Sequence, residues 1–148
     1  MTEVVIFGIL FAIAAMIFLN KWVMNRATDK FYQLMLDTNR LHNTSFPVRR
    51  KDAHLVLGFN SGVGVIAFDP ENRKICYVSK HGKSAEVFDF SYIKSWELNW
   101  HDKGAQSVGV HFLLSTPDLK RPQLKIPVNS LSDGKNWENR LDILFAQT

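Results

Sequence analysis

The sequence predicts an α+β, mainly β protein: an N-terminal transmembrane helix, then a seven-stranded antiparallel barrel capped by a C-terminal helix. Three observations predict it. Val4 to Leu19, VVIFGILFAIAAMIFL, is an unbroken apolar run of sixteen residues. From His54 onward, short β-rich runs alternate with turn residues every eight to twelve positions, the spacing of an antiparallel sandwich or barrel. The chain then closes on an amphipathic stretch with Trp137, Leu141, Leu144 and Phe145 at i, i+4, i+7 and i+8, which is one face of a helix.

At about 1.5 Å of rise per residue, roughly 20 residues cross a bilayer core of about 30 Å. Trp22, Val23 and Met24 extend the apolar run past Asn20-Lys21, so residues 1–24 are long enough to span. A secretory signal opens with a basic segment and closes on a small-residue cleavage site. This one opens Met-Thr-Glu and ends Leu19-Asn20-Lys21-Trp22, which reads as an uncleaved anchor. Lys21, Arg26, Lys30 and Arg40 follow the run and only Glu3 precedes it. Because Lys and Arg are retained on the cytoplasmic side, the N-terminus is expected outside the inner (plasma) membrane and the rest of the chain in the cytoplasm. Without Glu3, 18 Lys and Arg face 13 Asp and Glu, a formal +5. Such a charge suits a surface of anionic lipid headgroups, and the sequon at Asn43 then lies in the wrong compartment for glycosylation.

Residues 25–41 form an amphipathic juxtamembrane helix, with Ala27, Phe31, Leu34, Met35, Thr38 and Leu41 at helical spacing. Such a stripe packs on the downstream domain by default, with a membrane surface or a second copy as the alternatives. Gly8 and Ala12 provide a small-xxx-small spacing, a feature common in spanning helices. Residues 42–53, HNTSFPVRRKDA, are the linker, with helix breakers first and then the basic cluster Arg49-Arg50-Lys51.

The β domain occupies residues 54–148. Its expected strands run Leu55–Asn60, Val63–Asp69, Lys74–Lys80, Glu86–Phe90, Ile93–Trp100, Ser107–Ser115 and Gln123–Val128. Turn chemistry separates them at Asn60-Ser61-Gly62, Asp69-Pro70-Glu71-Asn72, His81-Gly82-Lys83, His101-Asp102-Lys103-Gly104 and Thr116-Pro117-Asp118. Alternation in WELNWHD turns Trp96, Leu98 and Trp100 toward the core and Glu97, Asn99 and His101 toward solvent. Ser132 or Asp133 is the expected cap of the final helix, which would plug an open end of the barrel.

Chemistry-bearing patterns are scarce. Glu97 and His101 would share a helix face, but on a strand they sit about 13 Å apart, too far to hold one ion together. The five histidines show no HxH or HExxH spacing. Cys76, the one cysteine, has neither a CxxC partner nor an elbow motif and reads as a buried small residue in a strand. Gly58, Gly62 and Gly64 lead into a strand rather than a helix, so they are hairpin glycines and not a phosphate loop. The positive charge is spread along the chain and interrupted by Asp89, Glu97 and Asp102, which argues against nucleic acid as a partner.

Seven short strands and a terminal helix, carried by GFNSGVGVIAFDPENRKICYV, FDFSYIKSWELNW and SDGKNWENRLDILF with its Trp137, resemble the pleckstrin-homology-like fold. In layout the chain is similar to bacterial membrane-anchored proteins with such a domain. The resemblance implies a binding module rather than an enzyme, with no cofactor, and a protein partner or anionic lipid headgroups as ligands. In lipid-binding members the ligand sits among basic residues of the loops at the open end. Here the early loops offer Arg73, Lys74, Lys80 and Lys83, while Asn60-Ser61-Gly62 carries no Lys or Arg. With Arg49, Arg50 and Lys51 these are the candidate lipid or partner contacts. The expected function is a single-pass membrane-anchored binding or scaffold module at the cytoplasmic membrane face. The alternative is a structural subunit of an envelope or secretion assembly with an extracytoplasmic β domain.

Overall fold

The structure, a computed structural model, describes residues 1–58, 64–79 and 85–146. Helix α1 runs unbroken from Thr2 to His42, about 62 Å at 1.5 Å per residue. No break separates the anchor from the juxtamembrane segment. What changes is burial: no residue before Thr28 is buried, and then Thr28, Tyr32, Met35 and Thr38 are. Asn43 ends the helix in the left-handed region, its N–H returning to the Asn39 carbonyl.

Seven strands follow among the described residues. Strands β1 (Val56–Leu57), β2 (Gly64–Asp69), β3 (Lys74–Ser79) and β4 (Ala85–Asp89) form one antiparallel sheet in chain order. Strands β5 (Ser95–Lys103), β6 (Gln106–Ser115) and β7 (Gln123–Pro127) form a second. The expected single barrel therefore resolves into two sheets: a 3-10 turn, Phe90–Tyr92, separates β4 from β5, and those strands do not pair. Helix α2 (Leu131–Ala146) closes the fold. Its cap is Ser130, whose hydroxyl accepts the Asp133 N–H at 3.1 Å, rather than Ser132 or Asp133. The helix begins earlier than its charge pattern suggests because Ser130 sits three residues before that N–H.

Two cores share the first sheet. Between the sheets lie Leu57, Ile66, Phe68 and Ile75, facing Leu98, Phe112, Leu114 and Ile126, with Trp137 and Leu141 of α2. Phe68 meets Trp137 at 5.7 Å between ring centroids and Phe145 at 6.4 Å, within the range of favourable aromatic pairs. On the opposite face, Ala67, Cys76 and Val78 pack with Val56 under Met35 and Phe46. The juxtamembrane stripe thus covers the outside of the four-stranded sheet. Its buried line is Thr28, Tyr32, Met35 and Thr38, whereas Leu41, expected on the same face, stays 80% exposed. Beyond Thr38 the helix has passed the edge of what it covers.

Gly58 shows how tightly β1 is held against the second sheet. Its φ is +83°, and a Cβ there would lie 2.5 Å from Ile126 Cγ2 and 2.8 Å from the Gly64 carbonyl oxygen. Only glycine fits both the dihedral and the space.

Candidate functional site

The linker does not hang in solvent. Asn39 holds its first part: the side chain accepts the Phe46 N–H at 2.8 Å and the Thr44 hydroxyl at 2.9 Å, and donates to the Phe46 carbonyl at 3.0 Å. Phe46 itself is buried in the second core. From there the chain turns back along α1. Arg50 Nη2 donates to Asn25 Oδ1 at 2.8 Å, fourteen residues before Asn39 and so about 21 Å up the helix. Four extended residues reach about 14 Å, and the arginine side chain supplies the rest. A 3-10 helix, Arg50–Leu55, then leads into β1, steadied by Arg140, which donates to the His54 carbonyl.

Arg49, Arg50 and Lys51 are all exposed at this turn, as are Lys21, Arg26 and Lys30 on the helix beside it. Among the described residues, none of the six is in an ion pair; the ion pairs there are Lys74–Asp89, Arg121–Glu86 and Arg121–Asp118. Arg26 sits 5.4 Å over the ring of Trp22, a cation–π contact at the end of the apolar run. Burial raises the Tyr32 phenol above its ordinary value, opposed by the charge of Arg50 and aided by that of Asp52. The turn therefore lies close enough for its charges to be felt on the helix.

The other candidate cations lie elsewhere. Arg73 occupies a left-handed position in the β2–β3 turn, φ 53°, with its guanidinium 5.0 Å over Phe90. Lys74 is ion-paired to Asp89. That turn is organised by Asp69, which accepts from Asn72 N at 3.1 Å, Asn72 Nδ2 at 2.8 Å and, across the chain, Ser45 N at 2.8 Å. Because Ser45 adjoins the Asn39 knot, Arg73 and Lys74 are at the far end of the packed helix from Arg50. Lys80 and Lys83, with the Asn60-Ser61-Gly62 and His81-Gly82-Lys83 turns, lie outside the described residues.

One cation was missed by sequence reasoning. Arg121, in the β6–β7 loop, grips both oxygens of Glu86 at 3.0 and 2.5 Å and lies 5.6 Å over Tyr77. The Glu86 hydrogen bond raises its affinity for the proton above the ordinary arginine value. Asp118 beside it is held below the usual carboxylate range, first by the Lys120 N–H at 2.9 Å, with the nearby Arg121 charge also contributing. Glu86 and Arg121 are 35 residues apart, so no local pattern announces them.

WELNWHD divides differently from its alternation. Trp96 is half-buried against Phe145, ring centroids 5.0 Å apart, and Leu98 is buried. Trp100 is 37% exposed. Helix α2 covers Leu98 through Gly134, where a Cβ would come within 2.8 Å of Leu98 Cδ1. Past that point Lys135 lies 5.9 Å over the Trp100 ring. His101 and Asp102, expected to open a loop, are in β5: a bulge between Asn99 and His101 shifts the register, and pairing continues to Lys103–Gln106. Gly104, φ +64°, makes the turn.

A cleft of about 180 Å³ opens between β1 and α2, lined by Val56, Gly58, Asn129, Trp137 and Arg140. Small-molecule pockets are usually about 300 Å³ or more. A larger, open depression of about 390 Å³ lies beside Lys74, Asp89, Tyr92 and Lys94, but its Lys74 is already paired. No family model, curated protein or solved structure matches the chain. Its class therefore rests on its own geometry: a helix long and apolar enough to cross a membrane, continued into the core of a two-sheet domain.

Proposed function

We propose that the chain is a single-pass, membrane-anchored, non-enzymatic binding or scaffold module whose β domain belongs to the pleckstrin-homology-like class. One observation carries the reading. The helix whose apolar run, Val4 to Leu19, is uncovered also supplies Met35, fully buried, to the domain's second core. The helix runs without a break from the apolar run into the domain's core, which favours a domain held at the membrane surface over one tethered loosely to it. Antiparallel sheets of four and three strands, followed by a helix that packs its Trp137 between them, support the pleckstrin-homology-like assignment. Lys21, Arg26 and Lys30 after the apolar run favour a cytoplasmic domain. Held there, the domain meets a protein partner or headgroups at high effective concentration, so a weak site suffices.

The test is topology together with capture. Full-length protein should resist alkaline extraction of inner membranes, and a C-terminal tag should be protease-sensitive only after the membrane is opened from the cytoplasmic side. A tag cleaved from outside would overturn this reading in favour of an extracytoplasmic structural subunit. Crosslinking in intact membranes then identifies a protein partner.

A further inference from the structure

We infer that Lys21, Arg26, Lys30, Arg49, Arg50 and Lys51 form a collar that binds the phosphates of anionic lipid headgroups, built jointly by α1 and the returning linker. The inference rests on the membrane-anchored reading and deepens it by naming the ligand and the surface that holds it. The level is set by the chain itself. Asn25 follows directly on Met24, the last residue of the apolar run, and Arg50 is hydrogen-bonded to Asn25. The linker triad is thereby placed at the depth where the hydrocarbon ends and phosphates begin.

The collar goes round the helix. Lys21 is one turn before Asn25 on the same face, above the packed domain, while Arg26 and Lys30 are one turn apart on another flank. Trp22, in contact with Arg26, is the kind of residue that settles at a membrane interface. Six cations face two neighbouring carboxylates, Asp29 and Asp52, and among the described residues neither acid pairs with any of them. Two cations of the β domain differ: Lys74 and Arg121 are already satisfied by Asp89 and Glu86. The linker is also organised before any ligand arrives, knotted to Asn39 at one end and to Asn25 at the other. Binding then requires less loss of chain freedom than a loose basic tail would.

Full-length protein in vesicles of phosphatidylcholine mixed with phosphatidylglycerol provides the test, with the lipids retained after extraction counted by native mass spectrometry. The wild type should retain phosphatidylglycerol over phosphatidylcholine, and excess inorganic phosphate should not displace it. In R49Q/R50Q/K51Q that preference should fall by about tenfold or more, as expected for three lost surface charges. R49Q/K51Q, which keeps the Arg50 bond to Asn25, should lose most of it while melting at the wild-type temperature. A wild-type preference in both variants would overturn the collar, and displacement by inorganic phosphate would assign the site to a free anion instead. Protein that washes off the vesicles at alkaline pH would overturn the anchored reading itself, a result separate from a change in lipid preference.

Discussion

The two halves of α1 are the same secondary structure in two different surroundings. Residues 4–19 are apolar on every side, and no residue up to Met24 is buried; Gly8 has nothing within 4 Å of where a Cβ would sit. Residues 25–42 carry charge on the outside and bury a line of four residues against the four-stranded sheet. A helix that is hydrophobic all round needs an apolar medium, while an amphipathic one needs a partner surface. The change falls within one turn, between Met24 and Thr28, and the backbone registers nothing there.

That contrast can be broken most severely at Met35. Met35→Ala should cost the domain about 2–5 kcal/mol in thermal or denaturant unfolding, whereas Ile13→Ala in the uncovered half should leave domain unfolding unchanged. Equal effects would mean that the two halves do not differ as described. Next come the glycines: Gly58→Ala should cost about 2–4 kcal/mol through its positive φ and its clash with Ile126 and the Gly64 carbonyl, while Gly8→Ala should be silent in the same melt. Asp69→Asn weakens the three bonds that fasten Ser45 and the β2–β3 turn. A loss of about 1.5–3 kcal/mol is expected, with faster amide exchange at Ser45 and Phe46.

The smallest effect at neutral pH concerns Cys76, which lies under the packed half of α1. Burial, with the nearby charge of Glu86, pushes its thiol from an ordinary 9.0 up to about 12. In the unfolded chain the thiol ionises near the ordinary value. The stability tied to keeping it protonated is therefore complete below about pH 9 and is lost as pH rises toward 12. Iodoacetamide should fail to label native protein at pH 8 and should label it on the alkaline side only as unfolding proceeds. Prompt labelling at pH 8 would mean that α1 lifts from the sheet.

Most strands were legible because their boundaries are local chemistry. Asp69-Pro70-Glu71-Asn72 and Thr116-Pro117-Asp118 make turns from residues within a few positions of one another. The α2 face of Trp137 and Leu141 was legible for the same reason. The division into two sheets was not, since it depends on β4 and β5 failing to pair across Phe90–Tyr92. Val65-Ile66-Ala67-Phe68 contained a further clue. A strand apolar on both sides is buried on both, and α1 is what covers its second face. The candidate site was half legible. The basic triad stands out in the sequence, but its return to Asn25, the Ser45–Asp69 bond and the Glu86–Arg121 pair join residues 24 to 35 positions apart, which no periodicity encodes.

Helix α1 contains no proline, and its only glycine, Gly8, lies near its start. Kinks in helices arise mainly at proline, glycine–serine pairs or inserted residues, and the segment between Gly8 and Asn43 has no proline or second glycine to provide one. On the membrane-anchored reading this makes the helix a lever. An apolar segment adjusts to bilayer thickness by tilting, and with no joint to absorb the change, the whole β domain swings and rolls with it. The thickness of the lipid layer would then set the angle at which the two-sheet domain stands to the membrane surface, a mechanical reading of the membrane that requires no ligand.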